Sequence, residues 1–151
     1  MTGDARQARA RMNHTEDTNR RMLRARDAMD CRFAEPLDLG ALAAIAHVSE
    51  SHFSRVFKAT FGETPHRYLQ RRRIERASSM LRETQLSISD ISTAVGFSSF
   101  ATFTRTFGQI MSETPTAHRR HAGDHGAPIC AVKALRRPAG APVAKRAVLD
   151  K

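Results

Sequence analysis

With 151 residues, the chain has the length of one ordinary domain or of two very small ones sharing an element, and a sizeable second domain is not expected. The formal net charge of +10 favours a polyanionic partner, because neutralising phosphates releases condensed counterions. No apolar run approaches the ~18 residues that a membrane-spanning helix needs; the longest is Ala41 to Ala46, and the polar, arginine-bearing start of the chain has no apolar signal segment, so a cytoplasmic protein is expected.

From Met1 to Asp17 there is no apolar periodicity, and Arg6, Arg9 and Arg11 are balanced by Asp4, Glu16 and Asp17. Residues 1–18 therefore read as a flexible arm. Helical spacing begins near Asn19. Met22, Arg26, Met29 and Phe33 share one side of a first helix that stops before Pro36, and Leu39, Leu42, Ala43 and Ala46 predict a short second one. A third runs from about Ser51 to Phe61 with Phe53, Val56 and Phe57 inward and Gly62 as its stop.

Thr64 and Pro65 supply an N-cap and first-turn proline for a longer helix over about 65–83, with Tyr68, Leu69, Ile74, Ala77, Met80 and Leu81 as its apolar side. Ile88, Ile91 and Val95 give another short helix, opened by Ser87 or Ser89 and broken at Gly96. Ser99 to Ile110 gives a further one with Phe103 and Phe107 inward, and Thr114-Pro115 opens a last helix ending near Arg120. Residues 121–151 turn to Ala, Gly and Pro with scattered Lys and Arg and read as a basic disordered tail. Nothing shows strand alternation, so the expected fold is all-α.

The chain also repeats itself. Phe53-Ser54-Arg55-Val56-Phe57 returns as Phe103-Thr104-Arg105-Thr106-Phe107, and Glu63-Thr64-Pro65 returns as Glu113-Thr114-Pro115, both 50 residues on. Leu42 to Ala46 matches Ile91 to Val95 at an offset of 49, so the second turn is one residue longer. Each copy is a short helix, a tight turn and a second helix: a helix-turn-helix over about 39–61 and another over about 88–110, joined by the long helix. Phenylalanines four apart lie on one face, and the arginine between them projects elsewhere, free to meet guanine O6 and N7 in a major groove.

At these residues the chain resembles the C-terminal DNA-binding domain of the AraC/XylS family of bacterial regulators. The likeness covers residues 19–120: Leu42-Ala43, Val48-Ser49, Phe53 to Lys58, Gly62 to Pro65, Tyr68-Leu69, Arg73-Ile74, Ala77, Ile88, Ile91, Val95 to Phe97, Phe103 to Arg105, Phe107 and Thr114-Pro115. It implies a bilobal all-helical domain that sets two helices in successive major grooves of double-stranded DNA. Ser51, Ser54 and Arg55 match the first helix's base-facing sites; Phe100, Ala101, Thr104 and Arg105 match the second's; Ser49, Lys58 and Ser98 fall where phosphate contacts are expected. The resemblance further implies sequence-specific transcription regulation and contact with RNA polymerase.

The chain departs from that pattern at Gly108 and Ser112, where a basic residue and a glycine are usual, at His118, where tyrosine is common, and at Phe100 and Ala101, which replace polar residues. A glycine inside the second helix and a missing C-cap glycine would loosen that helix's end. The long helix spans roughly 28 Å at ~1.5 Å per residue, against ~34 Å between successive major grooves. One monomer could therefore read a bipartite site.

Arg71-Arg72-Arg73 are candidates for phosphate contact, but they point around the long helix and cannot all serve one surface; Arg73 is the one expected to pair internally with a carboxylate. Seven histidines offer no metal-ligand spacing, His118 and His121 lacking a third ligand, and Cys31 and Cys130 lie too far apart to suggest a disulfide framework or a cysteine metal site. No cofactor, small-molecule effector or enzyme motif is evident. Two other readings stay open: a largely nonspecific architectural DNA-binding protein relying on its tail, and a degenerate domain that binds a protein partner.

Overall fold

A computed structural model describes residues 3–124. The described residues form seven helices and no strand: α1 (Gly3–Cys31), α2 (Leu39–Ile45), α3 (Glu50–Phe61), α4 (Pro65–Glu83), α5 (Ile88–Ala94), α6 (Phe100–Met111) and α7 (Pro115–Asp124). The all-α architecture of two helix-turn-helix units joined by a long helix is the one the periodicity predicts.

α1 departs from expectation, because residues 3–18 are helical rather than an irregular arm. No glycine or proline occurs between Asp4 and Glu35, and most side chains there have good helix propensity. Once Met22, Ala25 and Met29 bury themselves completely, the helix propagates toward the N-terminus at little cost, because nucleation has already been met. An apolar stripe was the missing signal, and this part needs none: residues 4–17 are exposed throughout. At the other end α7 continues to Asp124, past Arg120; the remainder of the expected tail lies outside the described residues.

Two cores organise the rest. The first gathers Met22, Ala25 and Met29 of α1, Leu42, Ala43 and Ala46 of α2 and its turn, Phe53 and Phe57 of α3, and Tyr68 and Leu69 from the start of α4. The second gathers Ile74, Ala77 and Leu81 from the rest of α4 with Ile91, Val95, Phe97, Phe103 and Phe107. α4 thus closes one unit and opens the next. Each of the four inward phenylalanines is fully buried and contributes about 1.5–3 kcal/mol by leaving water.

The two tight turns use the same hydrogen bonds. His47 N–H donates to Ala44 O and Val48 N–H to Ala43 O; Gly96 N–H donates to Thr93 O and Phe97 N–H to Ser92 O. Both are Schellman closures, which require a left-handed residue, and His47 (φ 54°) and Gly96 (φ 96°) supply it. Gly96 is needed for a second reason, since a Cβ there would lie 2.8 Å from Ala34 O.

The repeat extends further than sequence matching shows. Tyr68 packs edge-on to Phe57 (5.7 Å between centroids), and His118, fifty residues on, packs edge-on to Phe107 at 5.5 Å. The Tyr68 hydroxyl donates to Asp30 at 2.9 Å, and burial together with that carboxylate pushes the phenol up to about 12. His118 instead holds Glu113 at 2.6 Å through Nδ1 and Ser78 Oγ at 2.8 Å through Nε2, tying α7 to α4. Arg71 pairs with Glu63, and His121 pairs with Glu113, again fifty residues apart.

Arginines pin both interhelical linkers. Arg73 donates to Phe33 O (2.6 Å) and Glu35 O (2.8 Å), and Arg119 donates to Leu81 O (3.3 Å) and Leu86 O (2.6 Å). Arg73 is therefore internal, as expected, but its partners are carbonyls and not a carboxylate. Half-buried, its guanidinium is pushed below its ordinary value by desolvation and still remains a cation. The acids go to its neighbours: Arg71 to Glu63 and Glu75, Arg72 to Asp30 and Glu75. Both guanidiniums, candidates for phosphate contact, are thus already ion-paired, while their side chains stay partly exposed.

α6 does not lose its end. At 12 residues it is as long as α3, and Ser112 takes up the left-handed conformation (φ 60°) that Gly62 (φ 78°) adopts in the first unit. The cap forms at a cost of about 1 kcal/mol for a residue with a Cβ. Gly108 sits inside α6 with open space where a Cβ would be. Gly108→Ala and Ser112→Gly should therefore each stabilise the protein by about 0.5–1 kcal/mol, and both should raise the midpoint of a circular-dichroism melt by a few degrees.

A second prediction concerns acid. The hydrogen bond from His118 holds the Glu113 carboxyl below the usual range, with His121 adding to it and partial desolvation opposing. A folded pKa below the unfolded one means that this contact stabilises above the ordinary carboxylate value and is lost as pH falls through the folded value. Between about pH 5 and pH 3 the melting midpoint of Glu113→Gln should fall less steeply than that of the unaltered chain.

Candidate nucleic-acid interface

α3 and α6 are built alike from their caps upward. Ser49 Oγ accepts from His52 N–H and Ser99 Oγ from Thr102 N–H, each at 3.3 Å, so both helices start from an extended serine. The inward pairs Phe53/Phe57 and Phe103/Phe107 then set the rotation of each helix about its axis. Residues two positions from each phenylalanine are driven to the opposite side.

Arg55 and Arg105 are accordingly exposed. On α3 the exposed stripe is Ser51, Arg55 and Lys58; on α6 the equivalent positions are Ala101 and Arg105, exposed, and Gly108, half-buried, with Phe100 beside them. Ser54 and Thr104 flank these stripes and are half-buried. Arg55 Nε rests on Ser51 O at 3.3 Å, a contact weak enough to exchange for a base edge, while the Thr104 hydroxyl donates to Phe100 O at 2.9 Å and keeps its lone pairs free. Phe100 is 52% exposed, unusual for so large an apolar ring.

The structure brings the expected residues together in two groups, one per helix, and changes one equivalence. Ser49 is an N-cap, and its counterpart is Ser99; Ser98 stands one residue outside the cap, exposed. Lys58 is exposed on the last turns of α3. Among the described residues neither it nor Arg105 meets a carboxylate. Sequence reasoning passed over Arg67, an exposed residue in the first turn of α4 that lines a cleft with Lys58 and Arg105. The signal for it was local: a cation where helix capping favours an acid.

No group of three or more His, Cys, Asp or Glu side chains among the described residues could hold a metal ion, and no described helix is long and apolar enough to cross a membrane.

Two helix-turn-helix units sharing a helix, each presenting an arginine from its second helix, define a tandem helix-turn-helix protein. The family model described as a helix-turn-helix domain matches residues 42–121, more than half of the chain. An AraC-type DNA-binding domain-containing transcriptional regulator from Chromobacterium violaceum is 30% identical, superposes with a TM-score of 0.65, and is matched over 96% of its length and 72% of this chain. The chain belongs to the AraC-type helix-turn-helix family. It is also 34% identical over 102 residues to the HTH-type transcriptional regulator GlxA of Rhizobium meliloti, covering 68% of this chain and 32% of that protein. The DNA-binding domain of AdpA, solved in complex with a target DNA, shares the fold at 24% identity with a TM-score of 0.62 over 67% of this chain and 91% of that one. The chain spans only 12% to 34% of the length of the first curated relatives it matches.

Proposed function

We propose that this chain is a sequence-specific transcription regulator that binds double-stranded DNA as a monomer, with α3 and α6 in successive major grooves of a bipartite site. The observation that carries this reading is the duplicated exposed stripe, Ser51-Arg55 on α3 and Ala101-Arg105 on α6, borne by two units that share α4. A guanidinium projecting from such a stripe suits a bidentate pair with guanine, and an exposed phenyl ring with an adjacent alanine suits thymine methyl groups. Ser51, Ser54 and Arg55 would read one block; Phe100, Ala101, Thr104 and Arg105 the other. Ser49, Lys58 and Ser98 would hold phosphates.

The AdpA domain, bound to its target DNA, supports the docking by its fold. Regulation by contact with RNA polymerase, in the cytoplasm, follows from the family reading. The second stripe is the weaker of the two, since Gly108 stands where α3 has Lys58, so the first block should carry more of the affinity.

Selection from a random duplex library at about 0.15 M salt, run in parallel with Arg55→Ala, tests this. Two enriched blocks about one helical turn apart are expected. The variant should lose one block and bind the selected site more weakly by roughly 1–3 kcal/mol. Equal weakening on every duplex would remove the base-reading role, and an absence of enriched sequence despite binding would favour the architectural alternative.

A further inference from the structure

Between the two stripes lies an open cleft of about 1000 Å³, walled by the end of α3, the start of α4 and the flank of α6. Lys58, His66, Arg67 and Arg105 face it from these three elements. The one carboxylate on its wall, Glu63, is neutralised by Arg71 at 2.7 Å. Among the described residues, Lys58, Arg67 and Arg105 have no side-chain partner, so the cleft carries uncompensated positive charge.

The local chemistry of α4 does not account for this arrangement. His66 and Arg67 occupy the first turn of a 19-residue helix that has no acid there. A cation at that end opposes the helix macrodipole. Arg67 makes no contact that repays the position, its backbone N–H alone being used by the Thr64 cap. The internal repeat sharpens the point: the counterparts of His66 and Arg67 fifty residues on are Thr116 and Ala117. Whatever this pair of side chains serves is needed once per molecule, whereas the exposed stripe occurs twice.

A duplex that offers its major groove to α3 and again to α6 presents one intervening stretch of phosphate backbone. That stretch is a dense line of negative charge, about one per 1.7 Å of axis counting both strands. It is encountered once. We propose that the cleft seats consecutive phosphodiesters of this intervening backbone, with Arg67 as the central contact and His66 and Lys58 flanking it. This inference rests on the DNA-binding reading above and adds the path of the backbone between the two helices. Through it, Arg67 positions the duplex so that Arg55 and Arg105 reach their blocks together.

The test uses the selected bipartite duplex in two forms, one natural and one with methylphosphonates, which are neutral, replacing the phosphates between the blocks. The unaltered protein should bind the neutral-spacer duplex about tenfold more weakly. Arg67→Ala should bind the natural duplex severalfold more weakly, show a salt slope smaller by about one, and lose at most twofold more on the neutral spacer. Its melting temperature should not fall, since the charge opposes the helix dipole; Arg67→Gln serves as the second variant, and Arg67→Lys should retain most of the affinity.

Wild-type affinity and salt slope in Arg67→Ala would overturn the proposal. So would equal losses for both proteins on the neutral spacer, which would put the Arg67 contact elsewhere on the duplex. Failure of the underlying reading is separate: it would show as indifference of the unaltered protein to base changes in the blocks, while the salt slope of Arg67→Ala on any duplex would still report on the cleft.

Discussion

Everything downstream in this protein depends on α4 being interior to two cores at once. Tyr68 and Leu69 fill the first, and Ile74, Ala77 and Leu81 fill the second. A helix so anchored cannot bend or rotate for one unit without disturbing the other, because close-packed interiors do not deform smoothly. The junction is reinforced where Phe33 packs against both cores and Arg73 holds the backbone of that same segment. Gly96 allows the second unit's turn to close directly over Ala34. The spacing between the two exposed stripes is therefore a property of packing and not of a tether.

Duplication explains the likeness of the two units, and the departures from it show where they differ in use. Caps, turns and inward aromatics recur because each helix-turn-helix must solve the same problem of closing a short helix onto another. Where the second unit lacks the standard residue, it finds a substitute of another chemistry. Ser112 adopts the conformation of Gly62 with a Cβ in the way, and His118 replaces the Tyr68 hydroxyl contact with a hydrogen-bonded chain through Ser78 and Glu113. The exposed face was not repaired in this way: no cation takes the place of Lys58 on α6.

What the amino-acid order determined by itself was local and periodic. The four inward phenylalanines, the Thr64-Pro65 and Thr114-Pro115 starts, and the repeat were legible because a helix maps spacing onto direction with no help from the rest of the chain. The exposed stripes were legible for the same reason, since burying Phe53 and Phe57 forces Arg55 outward. Tertiary structure decided the questions of partner. Arg71, Arg72 and Arg73 are identical neighbours in sequence, and Glu75 is within helical reach of the first two, but Asp30 meets Arg72 and the Phe33 carbonyl meets Arg73 only because α1 and the segment after it fold against α4. The helical form of residues 3–18 was hidden because that stretch packs on nothing and is carried by the buried turns that follow it. The cleft beneath Arg67 exists only when α3, α4 and α6 are folded around it, and electrostatic complementarity between elements leaves no trace in the spacing of residues along one of them.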